Sequence, residues 1–177
     1  MRKINCLYIH GLDSSPLKEK LDILKTVGMV VFALHIDYRN QKNSYDLLLN
    51  FARKNQINFI IGSSLGGYLG FWLAEQLGLP CLLFNPALAY RSIDNVLVPP
   101  IGASYCPLRI MVLGKQDDVV LPNTTIEWLE AFPRSNTIEK IFECHWLAHG
   151  IDLSTFKEFA VLSIQILENN LASFPQK

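Results

Sequence analysis

A serine hydroxyl becomes a nucleophile when a base takes its proton and a third group orients that base. Residue types for this chemistry stand at three separated places in the chain. Gly62-Ser63-Ser64-Leu65-Gly66 matches G-x-S-x-G with Ser64 at its centre. The pattern serves a sharp turn from a buried strand into a helix, with the central residue strained and its oxygen exposed above the sheet. Its weight comes from its placement, directly after an apolar run at 57–61 and at the head of a helical pattern that continues through Phe71, Trp72, Leu73, Ala74 and Leu77. Gly66, Gly67 and Gly70 fall in the first turns of that helix. Each costs about 1 kcal/mol relative to Ala in a helix interior, so three in five positions imply close packing or a close ligand. Gly62 and Gly66 are expected to be small because strand and helix backbones crowd each other beside the turn. Ser63 then fits the turn, and Ser64 carries the reactive oxygen.

His149, followed by Gly150, is the candidate base; His145, inside "CHWL", is its rival. The candidate acid lies in "MVLGKQDDVV", where Asp117 and Asp118 both follow an apolar run. A buried carboxylate there would hold the imidazole tautomer and stabilise the imidazolium. An oxyanion hole needs backbone N–H groups. In "YIHGLDSSP" the His10-Gly11 pair permits a tight turn that aims the N–H of Leu12 at the site, and the N–H of Leu65 is the second expected donor. His10 reads as a loop-shaping residue.

These residues must be brought together by the elements around them. Short apolar runs at 4–9, 29–35, 57–61, 81–84, 108–113 and 138–144 alternate with helix-spaced segments at 16–27, 44–55, 65–77, 124–132 and from 154 onward. In the last segment Phe156, Phe159, Ala160, Ile164, Leu167 and Leu171 recur at three- and four-residue steps, which predicts one face docked on a sheet. Several runs are apolar throughout, as strands covered on both sides are. The repeated strand-helix order predicts a mostly parallel, doubly wound α/β sheet of about six strands with helices on both faces. Ligands of such sheets sit beyond the carboxyl ends of the strands. His10, Asp37, Ser64, Asn85, the 114–118 segment and the 145–149 segment all fall at such ends. The chain order Ser, Asp, His is that of the α/β-hydrolases.

The 177 residues are 50% hydrophobic and 18% charged, which fits a single domain over 1–177 with a sizeable core. Residues 85–107, rich in Pro, Gly and Ser, have no clear periodicity and are expected to form a short lid or pocket wall rather than a large cap domain. Sixteen basic residues balance sixteen acidic ones, so no field favours nucleic acid or an anionic membrane. The longest apolar runs fall short of the roughly 18 residues a membrane span needs. Cys6, Cys81, Cys106 and Cys144 form no C-x-x-C pair and read as small buried hydrophobes in a reducing, cytoplasmic setting. Neither a P-loop nor a G-x-G-x-x-G dinucleotide pattern is present.

Taken together, "YIHGLDSSP", "IGSSLGGYLGFWLA", "FNPA", Gly114-x-x-Asp117 and His149-Gly150 resemble the small bacterial YqiA-type esterases of the α/β-hydrolase superfamily. The resemblance spans nearly the whole chain. It implies a minimal α/β-hydrolase fold, with Ser64 as nucleophile, Asp117 as the acid and His149 as the base. The implied function is hydrolysis of small to medium acyl esters or thioesters through an acyl-enzyme, without metal or cofactor. A non-catalytic binding module, C–C bond hydrolysis and acyl transfer are the alternatives on the same fold.

Overall fold

The computed structural model describes residues 3–89, 96, 98, 106–131 and 137–171. Its elements in chain order are β1 (Ile4–Ile9), α1 (Lys18–Thr26), β2 (Met29–Ala33), α2 (Ser44–Lys54), β3 (Phe59–Ser63), α3 (Leu65–Leu77), β4 (Cys81–Phe84), β5 (Leu108–Gly114), α4 (Pro122–Ala131), β6 (Ile138–Cys144) and α5 (Leu153–Leu171). Most of the 85–107 segment, and with it the expected lid, lies outside the described residues.

The six strands form one sheet in the order β2-β1-β3-β4-β5-β6, and every neighbouring pair is parallel. Alternate residues of each central strand feed two separate cores. Leu7, Ile9, Ile60, Leu83, Met111 and Leu113 pack with the buried faces of α2, α3 and α4. Cys6, Tyr8, Phe59, Ile61, Leu82, Phe84, Ile110 and Val112 pack on the other side with α1 and α5. This two-sided burial is why the strand runs show no hydrophobic alternation. On α5 the predicted stripe is realised: Phe156, Phe159, Ala160 and Ile164 are buried and Leu167 is partly so. The side chain of Leu171 lies outside the described set.

Boundaries move for local reasons. β3 begins two residues later than the apolar run, because Asn58 is engaged with Asn5: the Asn5 N–H donates to Asn58 Oδ1 at 2.9 Å and the Asn58 N–H to Asn5 O at 3.0 Å. α4 starts at Pro122 rather than 124. Proline at the first helical position forfeits only an N–H that the helix leaves unpaired. α5 starts after Asp152, whose Oδ1 accepts the Thr155 N–H at 2.9 Å as a helix cap.

The sheet reverses its winding between β1 and β3, since β1 is flanked by β2 on one side and β3 on the other. A crevice opens at such a switch point, beyond the carboxyl ends of the strands. All connections that follow β1, β2, β3, β4, β5 and β6 leave from that same edge.

Candidate active site

Ser64 is the single residue between β3 and α3, with φ 53° and ψ −121°. A non-glycine residue at positive φ typically costs about 1 to 3 kcal/mol and persists where its surroundings over-determine it. Here they do. The Ser64 N–H donates to Phe84 O at 3.0 Å, and Ser64 O accepts from the N–H groups of Tyr68 (3.0 Å) and Ala87 (3.1 Å). A Cβ on Gly62 would overlap the Gly66 carbonyl, and one on Gly66 would overlap the backbone oxygens of Ile9 and His10. The expected crowding of strand and helix is thus present, and β1 joins it. Ser63 is buried and its side chain pairs with Tyr8, whereas Ser64 is only half-buried.

The segments after β5 and β6 run side by side. The Lys115 N–H donates to Cys144 O at 2.9 Å and the Gln116 N–H to Leu147 O at 3.0 Å. Gly114 lies so close to Leu147 that a Cβ there would overlap the Leu147 carbonyl. This pairing carries Asp117 to His149. Both Asp117 oxygens accept from His149 Nδ1, at 3.0 and 2.9 Å, while Asp117 Oδ1 also accepts the N–H groups of Val119 (2.9 Å) and Val120 (2.8 Å). The Asp117 side chain is fully buried, and that of His149 is 29% exposed. Nε2 of His149 lies 3.1 Å from Ser64 Oγ. With Nδ1–H donated to the carboxylate, Nε2 is left free to accept the serine proton. Of the doublet, Asp117 meets the histidine and Asp118 is exposed; of the histidine rivals, His145 is exposed just past β6.

His10 links the β1–α1 loop to the segment after β2. Its buried ring donates from Nδ1 to Gly11 O at 2.8 Å and accepts the Ile36 N–H at Nε2, 3.0 Å away. Burial lowers its pKa, the bond to Gly11 O opposes that, and nearby His35 lowers it further. Gly11 rests on Ser64: a Cβ there would stand 3.2 Å from Ser64 Cβ and 3.8 Å from its Oγ. Leu12 follows directly. Leu65 opens α3, so its N–H is among the first-turn donors that a helix leaves without an internal partner.

One residue that the sequence puts at a strand end on this edge, without assigning it a function, is built into the site. Asn85 is 1% exposed and sits at φ 41°. Its Nδ2 donates to Ala148 O at 2.9 Å and His149 O at 3.3 Å, its Oδ1 accepts the Gly114 N–H at 2.7 Å, and its own N–H donates to Val112 O at 2.9 Å. It therefore ties the end of β4 to β5 and to the backbone of His149. The signal available in sequence was an Asn ending an apolar strand in "FNPA", a type that tolerates positive φ and pairs with backbone groups.

Among the described residues no cluster of three or more His, Cys, Asp or Glu side chains is arranged for a metal ion, and no helix is long and apolar enough to cross a membrane. The model of an uncharacterised protein family, UPF0227, matches residues 5–106. The chain belongs to UPF0227, the YqiA family. This is the group its motifs resemble, and the match takes in the elbow at Ser64. The UPF0227 chain also superposes on solved α/β-hydrolases. A hydrolase of the alpha/beta superfamily from Xanthomonas campestris pv. campestris is 16% identical with a TM-score of 0.70, covering 93% of this chain and 99% of that one. A monoacylglycerol lipase from Paleococcus ferrophilus is 12% identical with a TM-score of 0.64, covering 91% and 96%. An S-formylglutathione hydrolase from Agrobacterium tumefaciens is 14% identical with a TM-score of 0.64, covering 93% and 83%. At these identities the likeness is one of fold: this UPF0227 member has the α/β-hydrolase fold.

Proposed function

We propose that the protein is a serine hydrolase that cleaves small to medium acyl esters or thioesters through an acyl-enzyme on Ser64. The observation that carries this reading is the continuous chain from Ser64 Oγ through His149 to buried Asp117 at the switch point of the sheet. His149 Nε2 takes the proton as Ser64 Oγ attacks the carbonyl carbon, and Asp117 stabilises the imidazolium through Nδ1–H. The tetrahedral oxyanion is held by the N–H groups of Leu12 and Leu65. Its collapse expels the alcohol or thiol, which takes the proton from Nε2. A water then repeats the sequence on the acyl-enzyme, giving the acid and free Ser64. No metal or cofactor enters these steps. Each oxyanion donor in such a site is typically worth about 2.7 to 4 kcal/mol in the transition state. The four buried free cysteines fit a reducing compartment, and we assign the enzyme to the cytoplasm on that basis.

The test is turnover of esters and thioesters of graded chain length, with fluorophosphonate labelling of the folded protein. Wild type is expected to turn over short-chain p-nitrophenyl esters and to label at Ser64. Ser64→Ala is expected to lose label and turnover, by up to about a millionfold as in comparable triads, while Ser63→Ala keeps both. A folded wild type that neither labels nor hydrolyses any substrate would establish a binding module in place of an enzyme. Activity that survives Ser64→Ala but not Ser63→Ala would move the nucleophile.

A further inference from the structure

Beyond the triad, the carboxyl ends of β1 and β2 enclose a second feature of the same edge. The loops at 12–14 and 35–40 wall a cleft of about 380 Å³. This lies at the lower end of the roughly 300 to 1,000 Å³ typical of small-molecule sites. We propose that this cleft is the subsite for an uncharged, hydroxyl-rich portion of the substrate, a proposal that rests on the serine-hydrolase reading.

Three observations support it. The first is position. Leu12 lines the cleft, and its neighbour Gly11 rests on Ser64, with a Cβ at Gly11 placed 3.8 Å from Ser64 Oγ. The wall of the cleft is therefore continuous with the loop that rests on Ser64. The second is chemistry. Ser14, Asp37, Arg39 and Asn40 supply hydroxyl, carboxylate, guanidinium and amide groups to the lining. A long acyl chain would strip water from such groups, whereas a polyol replaces that water with donors and acceptors of its own. Asp37 holds its carboxylate ready as an acceptor: Asn40 Nδ2 donates to it at 2.7 Å and the Arg39 N–H at 3.1 Å, and the Asn40 bond leads in keeping its pKa below the usual carboxylate range. Asp13 lines the same wall and is paired with Arg39, its Oδ1 2.8 Å from Arg39 Nε. Two carboxylates against one guanidinium oppose an anionic ligand and leave a neutral one unpenalised.

The third is rigidity. The walls are fixed before any ligand arrives: the buried Tyr38 hydroxyl donates to His10 O at 2.8 Å, the Ile36 N–H donates to His10 Nε2 at 3.0 Å, and Arg39 reaches across to Asp13. The loop that bears the proposed oxyanion donor Leu12 is thus bonded to the loop that would grip the polyol. Because both loops are fixed beforehand, a polyol held in the cleft is bound without the cost of ordering them.

The experiment compares glyceryl monoacetate with propyl acetate, two acetates of three-carbon alcohols that differ in hydroxyl content. Wild type is expected to favour the glyceryl ester in kcat/KM by about tenfold or more, the worth of one or two neutral hydrogen bonds. In the double variant Ser14→Ala/Asn40→Ala that ratio is expected to collapse toward one. Independently, catalytically silent Ser64→Ala titrated with glyceryl monoacetate should show amide chemical-shift changes at 12–14 and 35–40. A wild-type ratio near one, a ratio the double variant leaves intact, or shifts that avoid both loops would each overturn the proposal. The titration needs no turnover. Failure of the hydrolase reading, seen as no labelling and no hydrolysis, is therefore told apart from failure of the subsite.

Discussion

Asn85→Ala should damage both the stability and the catalytic geometry of the protein, and the size of the effect can be worked from its contacts. The side chain accepts the buried Gly114 N–H at 2.7 Å and donates to Ala148 O and His149 O at 2.9 and 3.3 Å. Stranding the Gly114 donor costs about 1 to 3 kcal/mol, and the two carbonyls, which are partly open to water, about 1 kcal/mol between them. Alanine at φ 41° adds about 1 kcal/mol that asparagine largely avoids. The total is about 3 to 5 kcal/mol, a large share of the roughly 5 to 15 kcal/mol of a typical domain. Urea denaturation followed by tryptophan fluorescence measures it as a fall in midpoint at constant slope. Asn85→Asp separates the parts: it keeps the acceptor for Gly114 and the tolerance of positive φ but loses the donor to the histidine backbone. At pH 7 its ester kcat is expected to fall on the order of 100-fold with KM little changed, as for a catalytic group displaced by about 1 Å. An Asn85→Ala unfolding free energy within about 1 kcal/mol of wild type would refute the stability reasoning. An Asn85→Asp enzyme with wild-type kcat would show that the bond to His149 does not position the ring.

The remaining expectations concern the loop and the elbow. Burial lowers the pKa of His10, so the folded protein resists a proton that the unfolded chain accepts below about 6.5. His10's contribution to stability is then complete above that pH and is lost as pH falls toward the lowered folded value; denaturant titrations between pH 7.5 and 5 check this, and His10→Gln should flatten that part of the profile. Gly66→Ala sets a methyl against the backbone oxygens of Ile9 and His10, which cannot swing aside as a side chain would. Overpacking of this kind costs about 1 to 3 kcal/mol or more, and we expect the upper end, together with slower fluorophosphonate labelling of Ser64.

What was legible in the sequence follows from which physical signals are local. The strands announced themselves because burial on both faces leaves runs such as Cys81–Phe84 with no polar position. The elbow was legible in part because one of its glycines answers a backbone contact within a few residues, Gly62 against Gly66, whereas Gly66 itself answers Ile9 and His10 at the end of β1. Asp117 could not be separated from Asp118 by residue type alone. The choice is made by the pairing of the β5 and β6 exits, through Lys115 with Cys144 and Gln116 with Leu147, which no local pattern encodes. The bonds made by Asn85, placed by the sequence only at a strand end, were hidden for the same reason, since its partners Gly114, Ala148 and His149 lie on two other segments. Yet the four residues Phe84, Asn85, Pro86 and Ala87 join the elbow at Ser64 to the segments after β5 and β6. Phe84 O and the Ala87 N–H bond the backbone of Ser64, Pro86 presses on Gly67, and the Asn85 side chain holds the His149 loop. Ser64 and His149 are thus registered to each other through the end of β4 as well as through their own 3.1 Å contact. A change in this bracket should therefore move Ser64 and His149 apart without touching either side chain.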